Sequence, residues 1–163
     1  MTLQLTTDQV WKEVENNIFA VLGMVTTKGE ARTAGIVYVI DERKFYIGSE
    51  KAAWKVKHIE RNPGVSLTIP ITKRIPFMPW IKIPAATITL SGTANVREND
   101  EVKPVIFAKL YRGMVVEDAA KAASCIIEVI PERDFLTYGV GVSLMEMRDP
   151  TRAMGRAPVA SVR

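Results

Sequence analysis

The chain has 163 residues and a mass of 18.1 kDa, enough for one domain with a substantial buried core, and its 47% hydrophobic and 25% charged residues exclude an intrinsically disordered chain. A single cysteine, Cys125, excludes an intrachain disulfide, and a single histidine, His58, excludes a Cys/His zinc site within one chain. The formal charge of +4 favours anionic partners, whether nucleic acid, a membrane surface or a phosphorylated small molecule.

The N-terminal MTLQLTTDQVWKEVENN has no basic head followed by an apolar run, and no stretch reaches the roughly 18 apolar residues of a membrane span. The expectation is a protein of the reducing cytoplasm with no membrane partner. Thr6 and Gln9 have capping-box spacing, and Val10, Val14 and Ile18 recur every four residues, so the chain opens with a helix. IFAVLGMVT, residues 18 to 26, is apolar at both alternating sets of positions, as in a strand covered on both faces or a barrel wall meeting a second subunit. A turn at Thr27, Lys28 and Gly29 leads into a strand over residues 31 to 40, and a polar turn at 41 to 43 leads into KFYIG. The first fifty residues therefore read as a helix and an antiparallel meander.

Residues 51 to 62 form an amphipathic helix, with Ala52, Val56 and Ile59 on one stripe and Lys51, Lys55 and His58 on another. It begins at Gly48 and Ser49, where backbone N–H groups and the helix dipole favour an anion and Ser49 either caps the helix or donates to a phosphate oxygen. Lys51 and Lys55, one turn apart, can close on one phosphate. The same pattern also describes a solvated cationic face, although Glu50 and Glu60 answer only part of the charge of Lys51, Lys55, Lys57 and Arg61.

Beyond Asn62, Pro63 and Gly64, GVSLTI alternates, and ATITLSGTANV alternates most clearly, with Ala86, Ile88, Leu90, Gly92, Ala94 and Val96 on one face. The proline-rich PITKRIPFMPWIKIP between them reads as a long hairpin connection or edge segment, in which Phe77 and Trp80 fit either a cover over a planar ligand or an anchor at a subunit contact. A second helical region is expected from Asp100 to Ala123, broken near Gly113, followed by a last barrel strand, SCIIEVI. From about residue 145 the chain reads as a tail, its Arg148, Arg152 and Arg156 solvated or reaching a partner. Tyr138 stands near a site or faces a subunit contact, and Cys125 belongs to the core. No repeat, linker, Walker motif or GxGxxG following a strand is present, so the chain reads as one small, mainly β domain with helical decoration.

The order helix, IFAVLGMVTTKGEARTAGIVYV, KFYIGS, basic helix with Lys55, and then IERNPGVSL resembles the flavin-binding split β-barrel family related to pyridoxamine 5'-phosphate oxidase, over about residues 10 to 96. The resemblance implies a six-stranded antiparallel split barrel, a homodimer, and flavin mononucleotide (FMN) between the subunits. It places Gly48 and Ser49 at the cofactor phosphate with Lys51 and Lys55, and Thr33 to Ile36 along the isoalloxazine ring. Trp54 stands where many relatives carry arginine and Ala34 at another commonly polar or basic position, so the resemblance implies either a weaker grip on the phosphate or one that uses Arg32 instead. The C-terminal FLTYGVGVSLMEMRDPTRAMGRAPV departs from the oxidase proper, which argues against vitamin B6 oxidation.

The function that follows is an FMN-dependent oxidoreductase passing hydride or electrons to a small acceptor, with no catalytic side chain identified. A reductase using the deazaflavin F420, and a flavin-binding protein without turnover, stand as alternatives. A nucleic-acid partner is not expected, because only Trp54 interleaves with the basic segment. A haem site is disfavoured because the one histidine lies on the cationic face.

Overall fold

The computed structural model describes residues 3–75, 77–78, 80–112 and 124–160. After the short strand β1 (Leu3–Gln4), helix α1 (Thr7–Glu15) opens with the expected reciprocal cap: Thr6 Oγ1 accepts from the Gln9 N–H, and Gln9 Oε1 accepts from the Thr6 N–H. Val10, Trp11 and Val14 bury its inner face. Ile18 shares their spacing but lies beyond the helix end and is 67% exposed.

Strand β2 (Phe19–Val25) buries Ala20, Leu22 and Met24 and exposes Phe19 and Val25, so an apolar run on both faces is covered on only one. The strand expected over 31 to 40 is two strands, β3 (Ala31–Val37) and β4 (Val39–Asp41). They divide at Tyr38, whose N–H donates to Ile18 O and whose buried hydroxyl donates to Val14 O at 2.7 Å. Strand β5 (Lys44–Ser49), helix α2 (Trp54–Arg61), β6 (Gly64–Ile71) and β7 (Ala86–Arg97) follow. The pairing of Ile71 with Ala86 closes β6 and β7 into the long-connection hairpin read from the sequence.

Of the second helical region, a single 3-10 turn (Asn99–Glu101) and α3 (Pro104–Leu110) are observed; residues 113–123, with the break expected at Gly113, lie outside the described residues. Strand β8 (Cys125–Tyr138) runs well past the expected SCIIEVI. The stretch from 145 carries α4 (Pro150–Ala153) and β9 (Met154–Pro158).

These strands form one sheet in the order β1-β9-β8-β7-β6-β2-β3, with β5 also on β8 and β4 on β5. The expected six-stranded antiparallel barrel is thus corrected to an open nine-stranded sheet, mixed because β1 runs parallel to β9. The additional strands β1, β4 and β9 have at most five residues, too few to show a period. Strand β8 allows the branching: Cys125 to Val129 pair with β5, Asp134 to Tyr138 pair with β9, and β7 runs along both halves. A register shift opposite Thr89 and Ser91, together with the left-handed backbone of Arg133 at φ 62°, bends the long strand between the two halves.

The sheet curls around a core of Leu22, Phe45, Ile47, Leu67, Ile88 and Leu90, with α1 laid across it. Trp11 meets Phe135 edge-on at 5.2 Å between ring centroids. At Gly92 the backbones of β7 and β8 approach so closely that a Cβ would stand 2.6 Å from Ile130 O. A smaller apolar cluster of Tyr46, Val102, Ile106 and Ile126 seats α3 on the opposite side of β5 and β8. Beside it Glu128, only 7% exposed, accepts from Arg97 Nη2 at 3.1 Å and Tyr46 Oη at 3.2 Å, with Lys44 Nζ at 3.5 Å. Burial works to raise the Glu128 carboxyl, but the Arg97 hydrogen bond and the Lys44 and Arg97 charges outweigh it and hold the group below its ordinary value. The Tyr46 phenol is pushed up to about 12 by burial and by Glu128.

Two expectations follow. Gly92→Ala forces the β7 and β8 backbones apart and costs about 1–3 kcal/mol, read as a lower midpoint in urea unfolding with an unchanged slope. The depressed Glu128 pKa contributes stability that is present above about pH 4.3, the unfolded value, and is lost as pH falls through the folded value. Glu128→Gln is therefore expected to lower stability at pH 7 and to flatten the acid limb of a stability-versus-pH curve. An unchanged acid limb would mean that other carboxylates carry it.

Candidate functional site

Helix α2 begins later than its amphipathic pattern suggests. Residues 51 to 53 form a turn closed by Ala53 N–H to Glu50 O, and Ala53, without a side-chain hydrogen bond, occupies the N-cap. Ser49 is therefore not the cap. It is buried at the end of β5, with its hydroxyl turned to Glu50 O at 3.4 Å. Val56 and Ile59 fix the helix to the core, and its carboxyl end is tied to the β2–β3 turn, where Asn62 Nδ2 donates to Val25 O and Thr26 O. His58 adds a third link by accepting the Thr27 N–H on Nδ1 at 3.3 Å.

This placement sets the amino end of α2 against the gap where the sheet does not close. Strands β3 and β5 are not paired with each other; both line a cavity of about 260 Å³ formed by Gly35, Ile36, Val37, Ile47, Gly48, Lys55, Leu110 and Tyr111. Among the described residues β3 pairs only with β2, so alternate N–H and C=O groups on its other edge have no strand partner there. Lys55 forms no ion pair among the described residues and is the cation at this gap. Tyr111 stacks on Phe107 at 6.3 Å, and burial raises its phenol pKa, so it faces the cavity as a neutral hydroxyl.

A second cavity, of about 440 Å³, lies by the same helix and strand and is lined by Thr26, Thr27, Lys28, Glu30, Arg32, Trp54 and His58. Trp54 and His58, one helical turn apart, meet edge-on at 5.8 Å between ring centroids. Arg32 pairs loosely with Glu30 at 3.6 Å. Arg32 of the second cavity and Gly35 of the first both belong to β3, with Thr33 and Ala34, which line neither, between them.

The residues expected to hold a cofactor are thus only partly assembled. Gly48, Lys55 and the backbone at Ile36 share the first cavity, whereas the Ile36 side chain is buried in the core. Arg32 belongs to the second cavity, and it also borders, with Thr33, a shallow groove on the outer face over Gly23, Ser66 and Ser91. Lys51 is drawn away: its Nζ pairs with Glu98, and its backbone N–H donates to Ser124 Oγ at 2.6 Å. Sequence reasoning missed Leu110 and Tyr111 as cavity residues, because the fold of α3 against β4 and β5 is a long-range event with no local signature. It also missed Glu98, far from Lys51 in sequence.

Other candidates are accounted for within the chain. Tyr138 Oη donates to Met147 O at 2.7 Å, and Arg156 pairs with Asp134 at 2.7 Å. Cys125 is buried, with its thiol pKa raised by that burial. Among the described residues no group of three or more His, Cys, Asp or Glu is placed to hold a metal ion, and no helix is long and apolar enough to cross a membrane.

Solved structures share this architecture. A Listeria innocua protein assigned as a pyridoxamine 5'-phosphate oxidase superposes with a TM-score of 0.61 at 19% identity, covering 78% of this chain and 94% of that one. The haem storage protein HutZ from Vibrio cholerae does so at 0.65 and 15% identity, over 84% of this chain and 98% of its own. An F420 reductase reaches 0.50 at 19% identity, over 70% of this chain and 86% of its own. At these identities the likeness is one of fold. No curated protein sequence matches the chain. The family profile described as pyridoxamine 5'-phosphate oxidase matches residues 6–137, which span every element from α1 through nearly all of β8. The chain therefore belongs to the pyridoxamine 5'-phosphate oxidase family.

Proposed function

We propose that the chain binds FMN along β3 and acts as a flavin-dependent oxidoreductase on a small acceptor. The observation that carries this reading is the gap between β3 and β5, where a strand edge and the cation Lys55, both unpaired among the described residues, converge with Gly48. The residues fit the cofactor: Lys55 offers a charge-assisted donor to the phosphate, Gly48 allows close backbone approach, and the backbone from Gly35 to Val37 offers hydrogen bonds to the edge of a flat ring. Bound flavin would supply hydride and electron transfer. The protein's own part would be to orient the ring against β3 and to exclude water with Ile47, Leu110 and Tyr111. The neutral Tyr111 hydroxyl would be available to a polar atom of the ring or of the acceptor.

A homodimer belongs to the same proposal. Ile18, Phe19 and Val37 form exposed apolar surface beside the β3 edge, and Val37 also lines the cavity, so a second copy seated there would complete one wall of the site. The F420 alternative draws support from the second cavity, where Lys28, Arg32 and His58 would suit an acidic tail. Haem is less well served. The one histidine, His58, is turned toward the β2–β3 turn, where its Nδ1 accepts the Thr27 N–H at 3.3 Å.

Titration of the purified protein with FMN and, separately, with F420 tests the reading by quenching of cofactor fluorescence. Saturation by FMN at one per subunit is expected; saturation by F420 alone transfers the proposal to the deazaflavin, and binding of neither removes it. Lys55→Ala is expected to weaken FMN binding roughly tenfold to a hundredfold, whereas Lys51→Ala, already committed to Glu98, changes it by less than about threefold. Equal losses for the two variants would place the phosphate elsewhere. Phe19→Asp is expected to shift the mass measured by light scattering from dimer to monomer and to weaken FMN binding in parallel. A dimeric Phe19→Asp would exclude this face as the interface.

A further inference from the structure

Among the described residues, the connection between β6 and β7 contributes neither to the core clusters nor to the cavities along β3. Phe77 is 89% exposed and Trp80 is 73% exposed, and Met78 and Ile81 beside them are exposed as well. Met78 N–H donates to Ile75 O at 3.2 Å and Ile81 N–H to Met78 O at 3.1 Å, satisfying part of the main chain of this stretch internally. Its base is anchored: Lys73 Nζ donates to Gly139 O at 2.6 Å and to Val142 O at 3.0 Å. Arg74 and Lys82 flank the apolar stretch, exposed and without an ion pair among the described residues. No acidic residue occurs between Glu60 and Glu98, so nothing nearby in sequence offsets these cations.

We propose that this loop docks the protein peripherally on anionic lipid bilayers, with Phe77, Met78, Trp80 and Ile81 entering the headgroup region and Arg74 and Lys82 resting against lipid phosphates. In sequence, the arrangement is an exposed apolar stretch with a cation on either side. Aromatic side chains are at home at the bilayer interface, and basic residues beside them gain from its negative potential. A second copy of the chain suits the loop less well, since a symmetric contact there would bring like charges together. Single-stranded nucleic acid suits it less well too, because the cations flank the aromatic residues instead of interleaving with them. Such docking is peripheral and departs from the absence of any membrane partner expected from the sequence. It is independent of the flavin reading.

The test is co-sedimentation of the intact protein with vesicles of phosphatidylcholine alone and of phosphatidylcholine with phosphatidylglycerol, with tryptophan emission followed in parallel. Binding to the anionic vesicles with a blue shift is expected. Phe77→Ser/Trp80→Ser should abolish it, and Arg74→Glu/Lys82→Glu should weaken it roughly tenfold or more. Both pairs lie on the surface, so circular dichroism and light-scattering mass should stay as in the parent protein. Absence of vesicle binding overturns the proposal, as does binding indifferent to lipid charge or unchanged in both double variants. A change of oligomeric mass in the Phe77→Ser/Trp80→Ser variant would assign the loop to a second copy. Binding of a single-stranded oligonucleotide, lost in the same variant and unaccompanied by vesicle binding, would assign it to nucleic acid.

Discussion

The attachment of α2 to the β2–β3 turn is the constraint on which the candidate site depends. Asn62 gives both amide hydrogens to main-chain carbonyls, Val25 O and Thr26 O, while His58 takes the Thr27 N–H. Val56 and Ile59 bury the helix face between these polar ties. With its carboxyl end held at one end of β3, the helix brings its amino end, and with it Lys55, to the unpaired edge of that strand.

The gap itself follows from the branching of the sheet on β8. Because β8 pairs with β5 through one half and with β9 through the other, the strand path leaves β3 at one end and β4 and β5 at another. Tyr38, hydrogen-bonded to Ile18 O and Val14 O, carries the chain across between them. The same branching seats α3 on β5 and β8 and so supplies Leu110 and Tyr111 to the cavity. Glu128, shared by side chains from β5 and β7, ties this region together by charge.

Electrostatics divides the basic segment more finely than its composition does. Lys51 and Lys55 have the same charge and lie one helical turn apart in sequence, but Lys51 sits in the turn before the helix and is neutralised by Glu98 just after β7. Lys55 meets no carboxylate among the described residues. Charge that stays unpaired at a strand edge is available to a ligand, whereas charge already paired gives little more.

Local physics made much of the chain legible without coordinates. The Thr6–Gln9 cap, the alternation from Ala86 to Val96, the breaker at Asn62, Pro63 and Gly64, and the amphipathic face of Val56 and Ile59 are short-range patterns set by backbone geometry, and the family resemblance rested on the order of the first helix, the strands about the Gly29 turn, KFYIGS, the basic helix and IERNPGVSL. What depended on residues distant in sequence was decided by the tertiary structure. The burial of Ser49, the capture of Lys51 by Glu98, the division of one expected strand at Tyr38 and the contribution of Tyr111 each arise when separate segments meet. The nine-stranded, mixed character of the sheet arises in the same way, because strands as short as β1 and β9 have no period of their own and exist only through pairing with each other and with β8. By itself the sequence determined the local elements and the family resemblance built on them; the tertiary structure decided which of the candidate residues share a cavity, since an ion pair or a wall is made by whatever the fold brings within a few ångströms.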